Sequence, residues 1–321
     1  LVPALAVAVA LSPTVYAAGQ ASSAAPVKAA GKATKSKKPI PRTPDGKPDL
    51  QGVWDFAQLT PFERPDEFGN KSPDDVNVEE YAQERAAQSN KDRRDGSAAQ
   101  DVERAYNDFW WDFGTRVAKQ TSLIVDPPNG RMPPLTPAAM ERIKNRVNKY
   151  DNPEERPLAE RCILGFNSGP PMVPSAYNNN VQIVQTKDSV LIFNEMVHSA
   201  RIVDMTGKPR PPAHMKYLTG YSTGRWEGDT LVVETTNFEK GGLFRMSTPN
   251  MKLTERFSRE DGDVLRYEFT VTDPEVWTAP ITASIPMVAS SEQMFEYACH
   301  EGNTGMEGVM RGARFQDKQG K

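Results

Sequence analysis

The chain has 321 residues, enough for one large domain or two small ones. Its net charge of −3 and pI of about 5.8 leave no basic face for nucleic acid, and a mean hydropathy of −0.60 argues against a bundle of membrane-spanning helices. The 27 prolines fall between apolar runs, which suits short strands joined by rigid turns better than long helices.

Residues 1–11 read LVPALAVAVAL, an uncharged apolar run short for a bilayer span. Val15-Tyr16-Ala17 follows as a cleavage site of the small-x-small kind. Residues 1–17 are therefore expected to be a signal peptide, and the mature protein periplasmic or secreted. No cysteine lies near the cleavage site, so no lipid anchor is expected. Residues 18–40 are mostly Ala, Ser, Gly and Lys with no apolar period, the composition of a disordered tether. Residues 41–321 are expected to form a single β-rich domain.

Within that domain TPDGKPDLQGVWDF makes a turn-rich approach to a short strand at 53–56. Helices are expected only between 72 and 150. One is polar and exposed at 76–87, and one covers 101–111. The third starts at Thr136-Pro137, an N-cap followed by proline at the first helical position, and runs to about Lys149. From Ala176 onward the pattern alternates with period two. Runs at 181–185 and 190–193 flank the turn Lys187-Asp188, and Gly228-Asp229 precedes a strand at 230–233. Runs at 253–259 and 264–271 flank Asp261-Gly262, the strongest hairpin signal in the chain. Leu265, Tyr267, Phe269 and Val271 share one face, and polar residues hold the other. A last strand is placed at 294–299. The expected fold is mainly β with an α-helical N-terminal part, built as an antiparallel barrel-like or strongly curved sheet.

Two clusters could carry chemistry. The first is Asn194-Glu195-Met196-Val197-His198-Ser199-Ala200-Arg201. In a straight strand Glu195 and Arg201 share a face but lie ~20 Å apart at ~3.3 Å per residue. A bend near Val197-His198 would bring them together with His198 at its apex, a workable general acid–base set. The same residues equally suit a structural ion pair or an ordinary turn. The second is Tyr297-Ala298-Cys299-His300-Glu301-Gly302-Asn303, at a strand end opening into a loop. Tyr177, Asn178, Asn179 and Asn180 are rich in donors and acceptors and suit a polyhydroxylated or carbonyl ligand, or else a capped turn. Trp110, in the aromatic run at 109–113, could line a pocket or belong to the core. There is no HxH, HExxH or CxxC spacing and no glycine-rich phosphate loop, so neither a metal nor a cofactor is expected. Export and an even cysteine count favour a disulfide between Cys162 and Cys299 over two buried thiols.

The stretch GRWEGDTLVVETTNF from Gly224 resembles a signature of a large family of exported proteins of soil and aquatic bacteria. So do TPDGKPDLQGVWD from Thr43, TSLIVDPPNGRMPPLTP from Thr121, NEMVHSARIV from Asn194 and EYACHEGN from Glu296. The family has no established reaction, so the resemblance carries over no catalytic residue. It implies only that the mature chain behaves as one unit.

The expected function is that of a periplasmic, cofactor-free acid–base enzyme (a lyase, hydratase or isomerase) acting on a small molecule. Glu195 or Glu301 would be the base, His198 or His300 the acid, and Arg201 an anchor for a carboxylate or enolate. The alternative is a non-catalytic periplasmic binding or scaffolding protein. No nucleic-acid partner and no stable membrane anchor after signal removal are expected. Convergence of the five charged residues on one concavity would favour the enzyme; dispersal would favour the alternative.

Overall fold

The computed structural model describes residues 38–89, 113–145, 151–240, 244–301 and 303–319. The expected signal peptide, nearly all of the tether, the helix at 101–111 and Trp110 lie outside the described residues.

Ten strands make the body: β1 (Gly52–Asp55), β2 (Ile124–Asp126), β3 (Asn180–Gln185), β4 (Ser189–Asn194), β5 (Ala200–Asp204), β6 (Tyr221–Glu227), β7 (Thr230–Thr236), β8 (Lys252–Arg259), β9 (Val264–Thr272) and β10 (Ile281–Ser290). They pair in the order β1-β3-β4-β5-β6-β7-β8-β9-β10, and β10 returns to β1, closing a nine-stranded barrel. Closure removes the sheet edges that would otherwise invite aggregation. The alternation in β9 puts Leu265, Tyr267, Phe269 and Val271 inside, fully buried, with Arg266, Glu268, Thr270 and Thr272 on the partly exposed outer face. The expected turns are present. Lys187-Asp188 joins β3 to β4, Asp261-Gly262 lies between β8 and β9, and Gly228, at φ +61°, shapes the two-residue turn between β6 and β7.

The sheet differs from expectation in two places. First, it is mixed. β5 and β6 run parallel, paired only through Val203 with Ser222 and Asp204 with Thr223. Parallel neighbours need a long crossover, and residues 205–220 supply one. Second, the last strand is Ile281–Ser290, and residues 294–299 form no strand. The proline inside β10 disguises it, because a proline cannot donate to a ladder. The structure resolves this at Pro286. β1 pairs with residues 288–290 of β10, and β2 with residues 282–283. Ser284 N–H donates to Leu123 O on this same edge, so a donor two residues on would point into the gap between β2 and β1. No donor is needed there. Side-chain amides close the gap instead: Gln58 donates to Pro286 O and Gln120 to Ser284 O, each at 2.9 Å.

The interior is packed rather than hollow. Trp54, Ile183, Ile192, Leu231, Val233, Leu253, Phe257, Ile285 and Met287 fill it from six strands of the wall. The loop before β3 adds Met172, fully buried, whose backbone N–H donates to the Tyr267 hydroxyl oxygen at 3.1 Å. One polar network lies within this apolar volume. Arg201 (β5) donates twice to Glu255 (β8), at 2.5 and 2.8 Å, and reaches Ser222 and Thr235 as well. Tyr267 O–H donates to Glu255 at 2.8 Å.

Three helices lie outside the barrel among the described residues. α1 (Val78–Ser89) buries Val78 and Ala82. α2 (Pro137–Lys144) is capped by Thr136, whose hydroxyl accepts from Ala139 N–H, with proline in its first turn. It ends five residues earlier than expected, with Asn145 as its C-cap. α3 (Gly305–Lys318) is a helix that the sequence pattern did not place; it buries no residue fully. Cys162 and Cys299 form a disulfide with Cα atoms 5.6 Å apart, holding the segment between β10 and α3. Lys38, assigned to the tether on composition, instead contacts the β8–β9 turn: its carbonyl accepts from Gly262 N–H and its ammonium pairs with Asp263.

Candidate functional site

The barrel rim where β1, β3 and β10 meet carries the polar residues that matter here. Asp55 stands opposite Val288 on one side and Asn180 on the other, so three strand ends deliver side chains to one row. The Asn run leads into β3 at this point. Asn178 adopts φ +52°, a left-handed conformation that asparagine tolerates better than most residues. Asn179 folds back on its own turn, accepting from Ser175 N–H and donating to Ser175 O, each at 2.8 Å. Phe56 N–H donates to Asn179 O, which locks the turn to the end of β1.

Glu195 follows β4 and lies beside Asn180. It is 4% exposed. One carboxylate oxygen accepts from Asn180 Nδ2 at 2.8 Å and the other from Phe295 N–H at 3.1 Å. The turn after it is strained. Val197, a β-branched residue, sits at φ +55°, and His198 at φ +36°. Such conformations cost ~1–3 kcal/mol each and cluster at functional sites. Ser168, whose hydroxyl donates to Met196 O at 2.8 Å, helps hold the turn.

Asp55, Asn178, Asn179, Asn180 and Glu195 line a cavity of about 360 Å³ together with Arg116, Ser290 and Glu292. Arg116 is clamped: it donates to the Asp55 carboxylate at 2.7 Å and to the carbonyls of Asp55 and Ala57. Among the described residues three carboxylates, Asp55, Glu195 and Glu292, line this cavity with one guanidinium, which pairs with Asp55. A second, larger basin of about 920 Å³ adjoins it and shares Tyr177 and Asn178. Its wall includes Tyr297, Cys299, Glu301, Asn303 and, from α3, Met306 and Val309. Tyr177 stacks on Tyr297 with centroids 6.3 Å apart, and Phe166 meets the Tyr177 ring edge-on at 5.5 Å.

The residues expected to act together do not all meet. Tyr177, Asn178, Asn179, Asn180 and Glu195 converge on the first cavity, and Glu301 lines the second. The chain does bend at Val197-His198, but the bend returns Ser199 O to Asn194 N–H and leaves Arg201 away from Glu195. Arg201 points into the barrel as the inward phase of β5, 6% exposed and paired with Glu255; it cannot anchor a ligand in either basin. Burial by itself would lower the Arg201 pKa, but the charge and hydrogen bonds of Glu255 outweigh it and the net shift is upward. His198 and His300 are exposed, and neither lines either basin. Among the described residues no group of three or more His, Cys, Asp or Glu is arranged to hold a metal ion. No described helix is long and apolar enough to cross a membrane.

Asp55, Arg116, Ser290 and Glu292 escape notice in the sequence because their meeting depends on barrel closure. Glu255 did leave a signal. It is a carboxylate in the apolar phase of Leu253-Thr254-Glu255-Arg256-Phe257, and an inward charge demands an inward partner. No protein-family model, no curated protein and no solved structure matches the chain.

Proposed function

We propose that the protein is a periplasmic or secreted binding protein that takes a small, uncharged, hydroxyl-rich molecule at the barrel rim. The observation that carries this reading is the convergence of Asn178, Asn180, Glu195 and Ser290 on one cavity whose formal charge is negative. Amide and hydroxyl groups both donate and accept, which matches a ligand bearing many hydroxyls. Three carboxylates against one guanidinium disfavour an anion. The cavity volume falls in the ~300–1,000 Å³ range of small-molecule sites. An oxidising compartment is supported by the Cys162–Cys299 disulfide.

A second reading retains turnover, with Glu195 as a general base. A nearly buried carboxylate at a cavity, next to a strained turn, favours it. The exposed histidines do not, since neither reaches the cavity.

The test is a thermal-shift and calorimetric screen of neutral sugars, polyols and cyclitols, each beside its phosphorylated or carboxylated analogue. Neutral compounds are expected to raise the melting temperature by mass action and the anionic analogues to fail. Asn178→Gly removes one amide without straining the backbone and is expected to weaken binding with the fold intact. Binding by the anions alone, or by no compound, would sink the proposal. Product formation by the wild type, lost in Glu195→Gln, would install the second reading.

A further inference from the structure

Resting on the binding reading above, we infer that the ligand is a chain of at least two sugar-like units laid across both basins, and that Tyr297 is the specificity residue for its length. Three observations support this. Tyr177 and Asn178 line both basins, so the two lie side by side and a molecule long enough to pass these residues would occupy both. The continuation changes character in the way that a pyranose ring requires. The first basin is lined by amides, hydroxyls and carboxylates. The second keeps the Tyr177 ring and adds that of Tyr297, and Phe166, half exposed, packs edge-on against Tyr177. A sugar unit has hydroxyl edges that hydrogen-bond and C–H faces that lie against aromatic rings, which bury much area at low entropic cost.

The charge also fits. Glu296 and Glu301 line the second basin beside Glu160, and among the described residues no Lys or Arg does. The carboxylates disfavour an anionic polymer, and the amide, hydroxyl and tyrosine lining suits a neutral one. The Cys162–Cys299 disulfide fixes the second wall, because Cys299 lies two residues from Tyr297 and Cys162 belongs to the loop on the opposite side of the sequence. A wall cross-linked in this way keeps the Tyr297 ring in place before the ligand arrives.

The experiment is calorimetric titration of the folded protein with matched monomers and oligomers. The probes are glucose with cellotetraose and maltotetraose, N-acetylglucosamine with chitotetraose, and tetraglycine as a neutral peptide. At least one tetrasaccharide is expected to bind roughly tenfold or more tighter than its monomer. Tyr297→Ala should abolish that difference, since losing an aromatic anchor typically costs about tenfold. Tyr297→Phe, which keeps the ring, should retain it and guards against misfolding as the cause. Equal affinity for monomer and tetramer would overturn the inference while sparing the binding reading. So would a length preference indifferent to Tyr297→Ala. Binding of tetraglycine in place of any saccharide, or no saccharide binding at all, would overturn both.

Discussion

Arg201 and Glu255 are joined by two hydrogen bonds inside the barrel although their strands, β5 and β8, are not neighbours. The guanidinium reaches past β6 and β7, touching Ser222 and Thr235. This is the part of the wall where β5 and β6 share only two paired positions. The pair therefore braces the thinnest seam from within. Either single replacement, Arg201→Met or Glu255→Leu, leaves the other charge buried and alone, and should cost ~3–5 kcal/mol in urea unfolding. The double variant should lose much less than the sum. Strict additivity would show that the two charges do not depend on each other.

Tyr267 completes the network, donating to Glu255 and accepting from Met172 N–H. Burial, and next the charge of Glu255, push its pKa well above the ordinary tyrosine value. A raised folded-state pKa means that the unfolded chain releases its proton first. The contribution is complete below ~10, the unfolded tyrosine value, and is lost progressively as pH rises from there toward the folded value. Stability should thus decline above pH ~10. Tyr267→Phe should cost ~1–3 kcal/mol at neutral pH, for the hydrogen bonds lost, and should flatten the alkaline decline. Urea unfolding between pH 8 and 11 checks both; an equally steep decline in the variant would assign it to other tyrosines.

Local features proved legible in the sequence and long-range ones did not. The turns at Lys187-Asp188, Gly228-Asp229 and Asp261-Gly262 involve neighbours in the chain, so composition alone specifies them. The α2 cap at Thr136-Pro137 is equally local. The disulfide was legible from counting, since two cysteines allow one bridge. β10 was hidden by Pro286, whose tolerance depends on a gap that exists only after β1 and β2 dock. Arg201 reads as a partner for Glu195 because the two are close in sequence. Its partner lies 54 positions away, and only the closed wall brings the two together. The Asn run at the rim was readable for its chemistry, but Asp55 and Ser290 join it through the β1–β10 contact that closes the barrel.

His198 and His300 are expected to be dispensable. Both are exposed, and neither borders the cavities that hold Asn178 and Glu195. His198→Gln and His300→Gln should each change stability by no more than about 0.5 kcal/mol, the usual range for surface substitutions. Ligand affinity should be unaffected. A large loss of affinity or turnover in either variant, with the melting temperature unchanged, would return the histidines to the site.

Glu195 is expected to hold the segment after β10 against the rim. Its two oxygens serve two different elements, Asn180 at the start of β3 and the backbone of Phe295. Glu195→Ala removes both acceptors. Asn180 can turn its amide toward the cavity and find water, but Phe295 N–H is fixed by its backbone and is left unpaired. The cost should be ~1–3 kcal/mol. Amide hydrogen exchange should quicken at Phe295 while the interior strands, β9 above all, stay protected. Glu195→Gln should behave differently. Its remaining oxygen can accept from Phe295 N–H, and its new amide can face an Asn180 flipped to present oxygen, so both contacts survive at a smaller cost. Slow exchange at Phe295 in both variants would mean that the Cys162–Cys299 disulfide alone secures the segment, and Glu195 would then be free to serve only the ligand.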